Sequence, residues 1–340
     1  MEKYLIVRVT LILSICIGCV CCNPNSTKEK YQSHRNNVVD VRDRVQEIAA
    51  EEVLISNIAW INFLDNYLII SDYKSADQCI HLFDRTSYDY VMSFGEKGQG
   101  PSEIAGVGHI EVEEKKHRFF LTDTGKKKVV CYELDSVLAN PAYIPPVKAT
   151  LLKERFPILY TYISDTLSIG LIMEPTGNSG FNELTAKWNM NTGEIVPMKY
   201  SHPNIERKRV CLAVAPEHGI YVECYKHHDL ITICNLEGEL VCNIFGSKWN
   251  DVKTNSVLYY SDVLFCNDHI VVSSSFGRDN FGEDYYPSDL LVFDLEGDYL
   301  KTLHIGYRII IFSYDPLNNR MVFLFDDAIQ LGRLDLDGLI

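Results

Sequence analysis

Short hydrophobic runs follow one another along most of the chain, separated by polar turns. Ile58–Leu64, Tyr67–Ser71, Cys79–Phe83 and Tyr90–Phe94 are the first four, and they are rich in Ile, Val, Tyr and Phe. Such runs alternate or are wholly apolar, and both patterns predict strands. Outside the N-terminal segment no stretch has the period of a long amphipathic helix. One dipeptide pattern recurs through the chain: a hydrophobic residue followed by Asp or Asn, at Phe83-Asp84, Leu134-Asp135, Trp188-Asn189, Cys234-Asn235, Phe293-Asp294 and Leu334-Asp335. The intervals are 51, 54, 46, 59 and 41 residues. A period of roughly 40–50 residues built only from short strands is the signature of propeller blades.

The pattern predicts an all-β, six-bladed β-propeller with four-stranded antiparallel blades. The first blade spans the four runs above, and the second runs from His109 to about Leu152. The third covers Ile158–Pro197, the fourth Val210–Phe245, the fifth Val263–Leu303 and the sixth Ile309–Leu336. Turns support the hairpins: Leu236-Glu237-Gly238-Glu239, Leu295-Glu296-Gly297-Asp298 and Asn191-Thr192-Gly193 join third to fourth strands, with Gly supplying the positive φ of a tight connection. The sixth blade is one strand short, since the chain stops at Ile340. Its outer strand is expected from the segment between Val38 and Ile55, which closes the ring and removes an open sheet edge.

The N-terminus changes the picture. Lys3 and Arg8 precede an uncharged apolar stretch, Val9 to Val20. It is too short to span a bilayer, which needs about 20 apolar residues, and suits a secretory signal. Gly18-Cys19 resembles the cleavage point of a bacterial lipoprotein, with Cys21 and Cys22 as alternative acceptors. The expected organisation is therefore a signal peptide over 1–18, a lipidated Cys19 and polar linker over 19–37, and the propeller over 38–340. Lipidation would place the protein in the cell envelope, most simply at the outer membrane, touching the membrane only through the lipid anchor.

Charge narrows the partners. The net charge is −14, and loss of residues 1–18 takes it to about −15. No basic stripe follows a phosphate backbone, so nucleic acid is excluded as an expected partner. Lys126-Lys127-Lys128 reads as a solvated hairpin turn. Of the 11 Cys, four lie in the signal region; Cys79, Cys131, Cys211, Cys224, Cys234, Cys242 and Cys266 remain. They form no C-x-x-C and sit in strand-like contexts, so buried free thiol is the default. Cys224 with Cys234 is the candidate disulfide, and Cys224 with His227 or His228 a weaker zinc site.

Phe94-Gly95-Glu96-Lys97-Gly98-Gln99-Gly100-Pro101-Ser102-Glu103-Ile104 lacks the G-K-[ST] ending and helix of a phosphate loop. Its glycines serve a crossover from the rim of one blade to the axis. With Phe119–Lys126 and Val129–Tyr132, it resembles an NHL-type blade. The closer resemblance is to the six-bladed, TolB-like propeller lipoproteins of bacteroidetes, in which a G-x-G-P-x-E motif follows the first full blade. Ile69-Ile70-Ser71-Asp72 and Ile80–Asp84 fit the preceding blade. The resemblance is strong over about 58–140 and periodic to 340. It implies an envelope-anchored propeller and carries no catalytic residues. Lys128 stands near the place of the arginine usual late in NHL blades.

Propeller topology puts crossover loops and the loops between second and third strands on one face. The two long loops there contain Asn178, and Arg278, Asp279, Tyr285 and Tyr286; the shorter fourth-blade loop holds His227 and His228. Long loops on a rigid scaffold concentrate binding residues, and Tyr and Arg are hot-spot types. The same loops could instead only cover the channel mouth. His227 and His228 diverge if they lie in a strand and can converge only in a turn. Asp72 and Asp123, equivalent in successive blades, are expected to bond turn amides. The expected function is a non-enzymatic module or scaffold binding an envelope protein or glycan. The alternative is a metal-dependent propeller hydrolase or lactonase, with Ca²⁺ held in the channel, although no D-x-D-x-D-G loop supports it.

Overall fold

The structure is a computed structural model describing residues 28–176, 180–251, 256–279 and 285–340. Three short strands come first: β1 (Glu29–Gln32), β2 (Val38–Asp40) and β3 (Gln46–Glu47). Blade one is β4 (Ala59–Leu64), β5 (Tyr67–Asp72), β6 (Gln78–Asp84) and β7 (Tyr90–Glu96). Blade two is β8 (Val107–Glu113), β9 (Arg118–Asp123), β10 (Lys128–Glu133) and β11 (Val147–Thr150), with a short helix α1 (Leu134–Ala139) before its last strand. Blade three is β12 (Phe156–Ser164), β13 (Leu167–Pro175), β14 (Phe181–Trp188) and β15 (Ile195–Pro197). Blade four is β16 (Val210–Ala215), β17 (Ile220–Tyr225), β18 (Leu230–Asn235) and β19 (Leu240–Gly246). Blade five is β20 (Val257–Cys266), β21 (His269–Asp279), β22 (Asp289–Asp294) and β23 (Tyr299–His304). Blade six is β24 (Ile309–Asp315), β25 (Arg320–Phe325) and β26 (Leu331–Asp335), completed by β3.

The first strand of each blade neighbours the first strand of the next, and β24 neighbours β4, so the ring closes. Each sheet stands radially and buries both faces, which is why its middle strands are apolar throughout rather than alternating. In blade one, Ile69, Ile80 and Leu82 pack toward Ile110, Phe119 and Leu121 of blade two. Their neighbours Leu68, Ile70 and Phe83 pack toward Val322 and Leu324 of blade six. Each fully buried side chain of this kind contributes about 1.5–3 kcal/mol of hydrophobic stabilisation.

The repeated hydrophobic-Asp/Asn pair has a structural meaning. It ends the third strand of five blades and, in blade two, opens α1 directly after the third strand. The missing outer strand of blade six does come from the N-terminal side: Gln46 pairs with Arg333 and Glu47 with Gly332.

The polar stretch assigned to a linker is corrected from Glu29 onward. Strand β1 runs parallel to β19 as a fifth strand of blade four, with Glu29 opposite Asn243 and Gln32 opposite Gly246. Strand β2 does the same on β23 of blade five, with Val38 opposite Thr302. Main-chain hydrogen bonds carry this docking, so polar side chains suffice. The Lys28 carbonyl accepts from the Asn243 amide at 2.7 Å, and the Asn37 carbonyl from the Thr302 amide at 2.8 Å. Tyr31 stacks on Phe245, centroids 4.9 Å apart. Residues 28–47 therefore bind three consecutive blades.

Candidate functional site

Main-chain bonds gather the crossovers and the second-to-third hairpins on one face. The Lys97 amide donates to the Asp77 carbonyl at 2.7 Å, the Thr124 amide to Gly106 at 2.8 Å, the Tyr259 amide to Lys226 at 2.8 Å and the Asp326 amide to Arg308 at 2.9 Å.

The glycine-rich crossover is held by its own glutamate. The Glu103 carboxylate accepts from the Gly100 amide at 2.6 Å, and a Cβ on Gly98 would fall inside contact distance of that carboxylate. Lys126 bonds the carbonyls of Gly100 and Glu103. The first lysine of the basic run thus fastens the crossover rather than offering a free charge. Asp123 accepts from the amides of Gly106 and Lys126, each at 3.1 Å. In the preceding blade Asp72 does likewise, accepting from the Ser56 amide at 2.7 Å and the Lys74 amide at 2.9 Å. Both aspartates bond loop amides, as their positions in the sequence suggest.

His227 and His228 sit in the turn between β17 and β18 and diverge. His227 Nδ1 lies 2.8 Å from the Val257 carbonyl at the entry to blade five. His228 turns the other way, to the Asn250 carbonyl at 3.3 Å, with its ring against Trp249 and Tyr225. Burial lowers the proton affinity of His228. Arg278 and Asp279 end β21, exposed, opposite Leu258 and Val257 in register. His227 therefore borders the strand end that presents Arg278 and Asp279. Tyr285 and Tyr286 pack ring on ring at 4.1 Å. The Tyr285 carbonyl accepts from Ser275 Oγ at 2.9 Å, and Arg278 reaches the Tyr286 carbonyl at 3.5 Å. Burial also pushes the Tyr286 hydroxyl above its ordinary range. Gly277, at φ +74°, lets this strand lie against Tyr259, whose ring a Cβ would meet at 2.8 Å. The fifth-blade residues and His227 thus form one neighbourhood that His228 does not join. Asn178 and Cys19 lie outside the described residues.

All seven Cys among the described residues are buried free thiols. Cys224 faces Cys211 across the β16–β17 pair, whereas Cys234 faces Tyr221, so Cys224 and Cys234 are not cross-strand partners. Among the described residues no three His, Cys, Asp or Glu side chains come together as metal ligands.

The sequence offers little warning of a buried polar group near this face. Arg35 donates to Tyr260 Oη at 2.8 Å and to Asp229 Oδ1 at 3.2 Å, and Tyr260 Oη donates to Asp229 Oδ1 at 2.6 Å. Its only signal is a lone arginine in a polar run, with partners 194 and 225 residues away.

Residues 45–142 match the model of a family described as a 6-bladed beta-propeller, DUF5128. The fold is a six-bladed β-propeller. The match covers β3, blade one and the first three strands of blade two. Two solved structures resemble the whole propeller. One is a Bacteroides fragilis protein described as exported, with TM-score 0.54 and 12 % identity, covering 90 % of this chain and 98 % of that one. The other is a Bacteroides vulgatus protein of the DUF4221 family, with TM-score 0.54 and 11 % identity, covering 86 % and 98 %. At such identity the likeness speaks for the fold. None of the curated proteins matches the chain. No helix among the described residues is long and apolar enough to cross a membrane.

Proposed function

We propose that this propeller is exported, held in the cell envelope by lipid on Cys19, and acts as a non-enzymatic binding or scaffold module. The single observation behind the binding role is the cluster at the end of β21. An exposed Arg278 lies beside the packed Tyr285–Tyr286 pair, on a strand end fixed by Gly277 and Ser275. Arginine and paired tyrosines on a rigid support suit recognition of an envelope protein or glycan. Export and the anchor rest on the apolar segment ending at Gly18-Cys19, and the exported description of a similar propeller agrees with export. The metal-dependent hydrolase reading gains no support from the site, because the divergent histidines and the bonded aspartates leave no ligand set among the described residues.

Two measurements test this. Cys19→Ala should move the protein out of the membrane fraction; continued membrane fractionation would refute the anchor. For binding, envelope extract is passed over the native protein and over an Arg278→Ala/Tyr285→Ala/Tyr286→Ala variant of equal melting temperature. A partner retained by the first and lost by the second is expected. Equal retention by both removes the role of this face.

A further inference from the structure

On the same face, a quarter-turn or more round the ring, a cleft of about 540 Å³ opens between blade one and residues 52–56. This size lies within the range of small-ligand sites. We propose that this cleft binds a neutral, hydroxyl-rich ligand, a short oligosaccharide.

The floor decides the chemistry. His81 lies in the middle of β6, in the run Cys79-Ile80-His81-Leu82-Phe83. Ile80 and Leu82 pack toward blade two, so strand alternation sends the His81 ring to the other face of the sheet, where it lines the cleft. Only 3 % of the residue is exposed. Nδ1 lies 2.7 Å from Ser93 Oγ, and Ser93 Oγ lies 2.9 Å from the Tyr90 hydroxyl. Nε2 is sealed from bulk solvent and has no hydrogen-bond partner. A buried polar atom without a partner is costly, and a ligand hydroxyl satisfies it once a small shift of the ring opens Nε2 to the cleft. A hydroxyl can donate or accept, so it serves either tautomer of the ring.

The charges of the cleft favour no ionic class. Against Glu52, Asp72 and Asp77 a single Lys74 offers phosphate, sulfate or an acidic sugar no matching charge. Asp72 is occupied, because the Ser56 hydroxyl also donates to it, at 2.5 Å, beside the two amides already named. Glu52 and Asp77 are exposed at the rim, where water screens them. A cation seated on the floor would therefore meet no free carboxylate. What the floor offers is neutral: a Ser93–Tyr90 hydroxyl pair, an imidazole whose charged form burial disfavours, and the Tyr90 ring. A sugar presents hydroxyls to the first groups and its C–H face to the ring.

The site is separate from the Arg278 cluster, and its test is independent of that cluster. The full-length protein is titrated calorimetrically with maltose, cellobiose, lactose and N,N′-diacetylchitobiose, and with spermidine as the cationic probe. Saturable binding of at least one sugar is expected, weakened about tenfold or more by His81→Phe. Gln78→Ala, at the mouth, guards against failure of His81→Phe to fold and should also weaken binding. The Arg278→Ala variant should bind as the native protein does. Binding of spermidine alone, of no probe at all, or of a sugar with affinity unchanged in Gln78→Ala and in folded His81→Phe, overturns the proposal.

Discussion

Arg85 and Asp315, 230 residues apart, form a buried ion pair where the ring closes. Arg85 Nε donates to Asp315 Oδ1 at 2.7 Å, with Nη2 at 2.6 Å from the same oxygen. Side-chain exposures are 3 % and 0 %. Arg85 leaves the end of β6 and also donates to the Asp65 carbonyl at 2.7 Å, while its guanidinium lies over Phe63 at 5.0 Å. Asp315 also accepts from the amides of Leu317 and Asn318. The pair ties the first blade to the last on the face opposite the candidate site.

Removing one partner strands a buried charge. Asp315→Ala should cost about 3–5 kcal/mol. Replacing both residues with apolar side chains of similar volume should cost much less, since neither charge is then left alone. Urea midpoints of the single and double variants give the coupling. Additive losses would mean that the pair does not act as a unit.

The docked N-terminal segment makes a second prediction. Strands β1 and β2 cover the outer edges of blades four and five with parallel pairing, and Arg35 is buried between them at Asp229 and Tyr260. Deleting residues 28–40 should lower the melting temperature and promote self-association, because uncovered edges template pairing. Arg35→Ala alone leaves both edges covered and should destabilise by about 1–3 kcal/mol without self-association. Light scattering beside a urea titration separates the two effects. Self-association of Arg35→Ala would show that the arginine, rather than the strands, holds the segment in place.

These two contacts mark where the sequence stops being readable. The blades were legible because radial burial imposes apolar runs, and because a hydrophobic-Asp/Asn pair falls at or directly after the end of each third strand. The closure by β3 was legible because blade six lacked a strand. Strands β1 and β2 were not, since edge strands held by main-chain bonds need no apolar period, and Lys28–Asn37 reads as polar linker. Arg85 and Arg35 were illegible for a different reason: each finds its carboxylate far along the chain, 230 and 194 residues away, and local spacing carries no trace of that. His81 did leave a signal, as the polar residue inside the apolar run Cys79–Phe83 of β6. Asp72 and Asp123 accept from turn amides, as their equivalent places in successive blades predict.

Buried thiols give a third prediction. Burial pushes Cys79, Cys131 and Cys242 up to about 11, and Cys234 and Cys266 up to about 12. The thiolate is the reactive form. At neutral pH an aromatic disulfide reagent should therefore leave these thiols unmodified in the native protein and label them only as it unfolds. The labelling rate should follow denaturant as global unfolding does. A thiol labelled within seconds in buffer would place its blade interface among the locally opening regions of the ring.

Asp262 makes stability depend on pH in the sense opposite to ordinary carboxylates. It lies on β20, facing the first strand of blade six. Its Oδ1 accepts from the Val263 amide at 2.9 Å. Burial raises its carboxyl to about 7, against the smaller opposing effects of the Val263 amide, Lys226 and the Phe312 amide. An unfolded aspartate titrates near ~3.9. Between about pH 4 and 7 the folded protein thus holds a proton that the unfolded chain has released. This group's contribution is greatest below the lower value and is lost as pH rises through the upper one. Partial solvent access reduces the effect to on the order of 1–2 kcal/mol. Asp262→Asn retains an acceptor for the Val263 amide and has no proton to lose. Urea unfolding at pH 4.5 and at pH 8 should show the variant gaining on the native protein by that amount at the higher pH. A difference between the two proteins that stays constant across the range would mean that Asp262 ionises as it does in the unfolded chain.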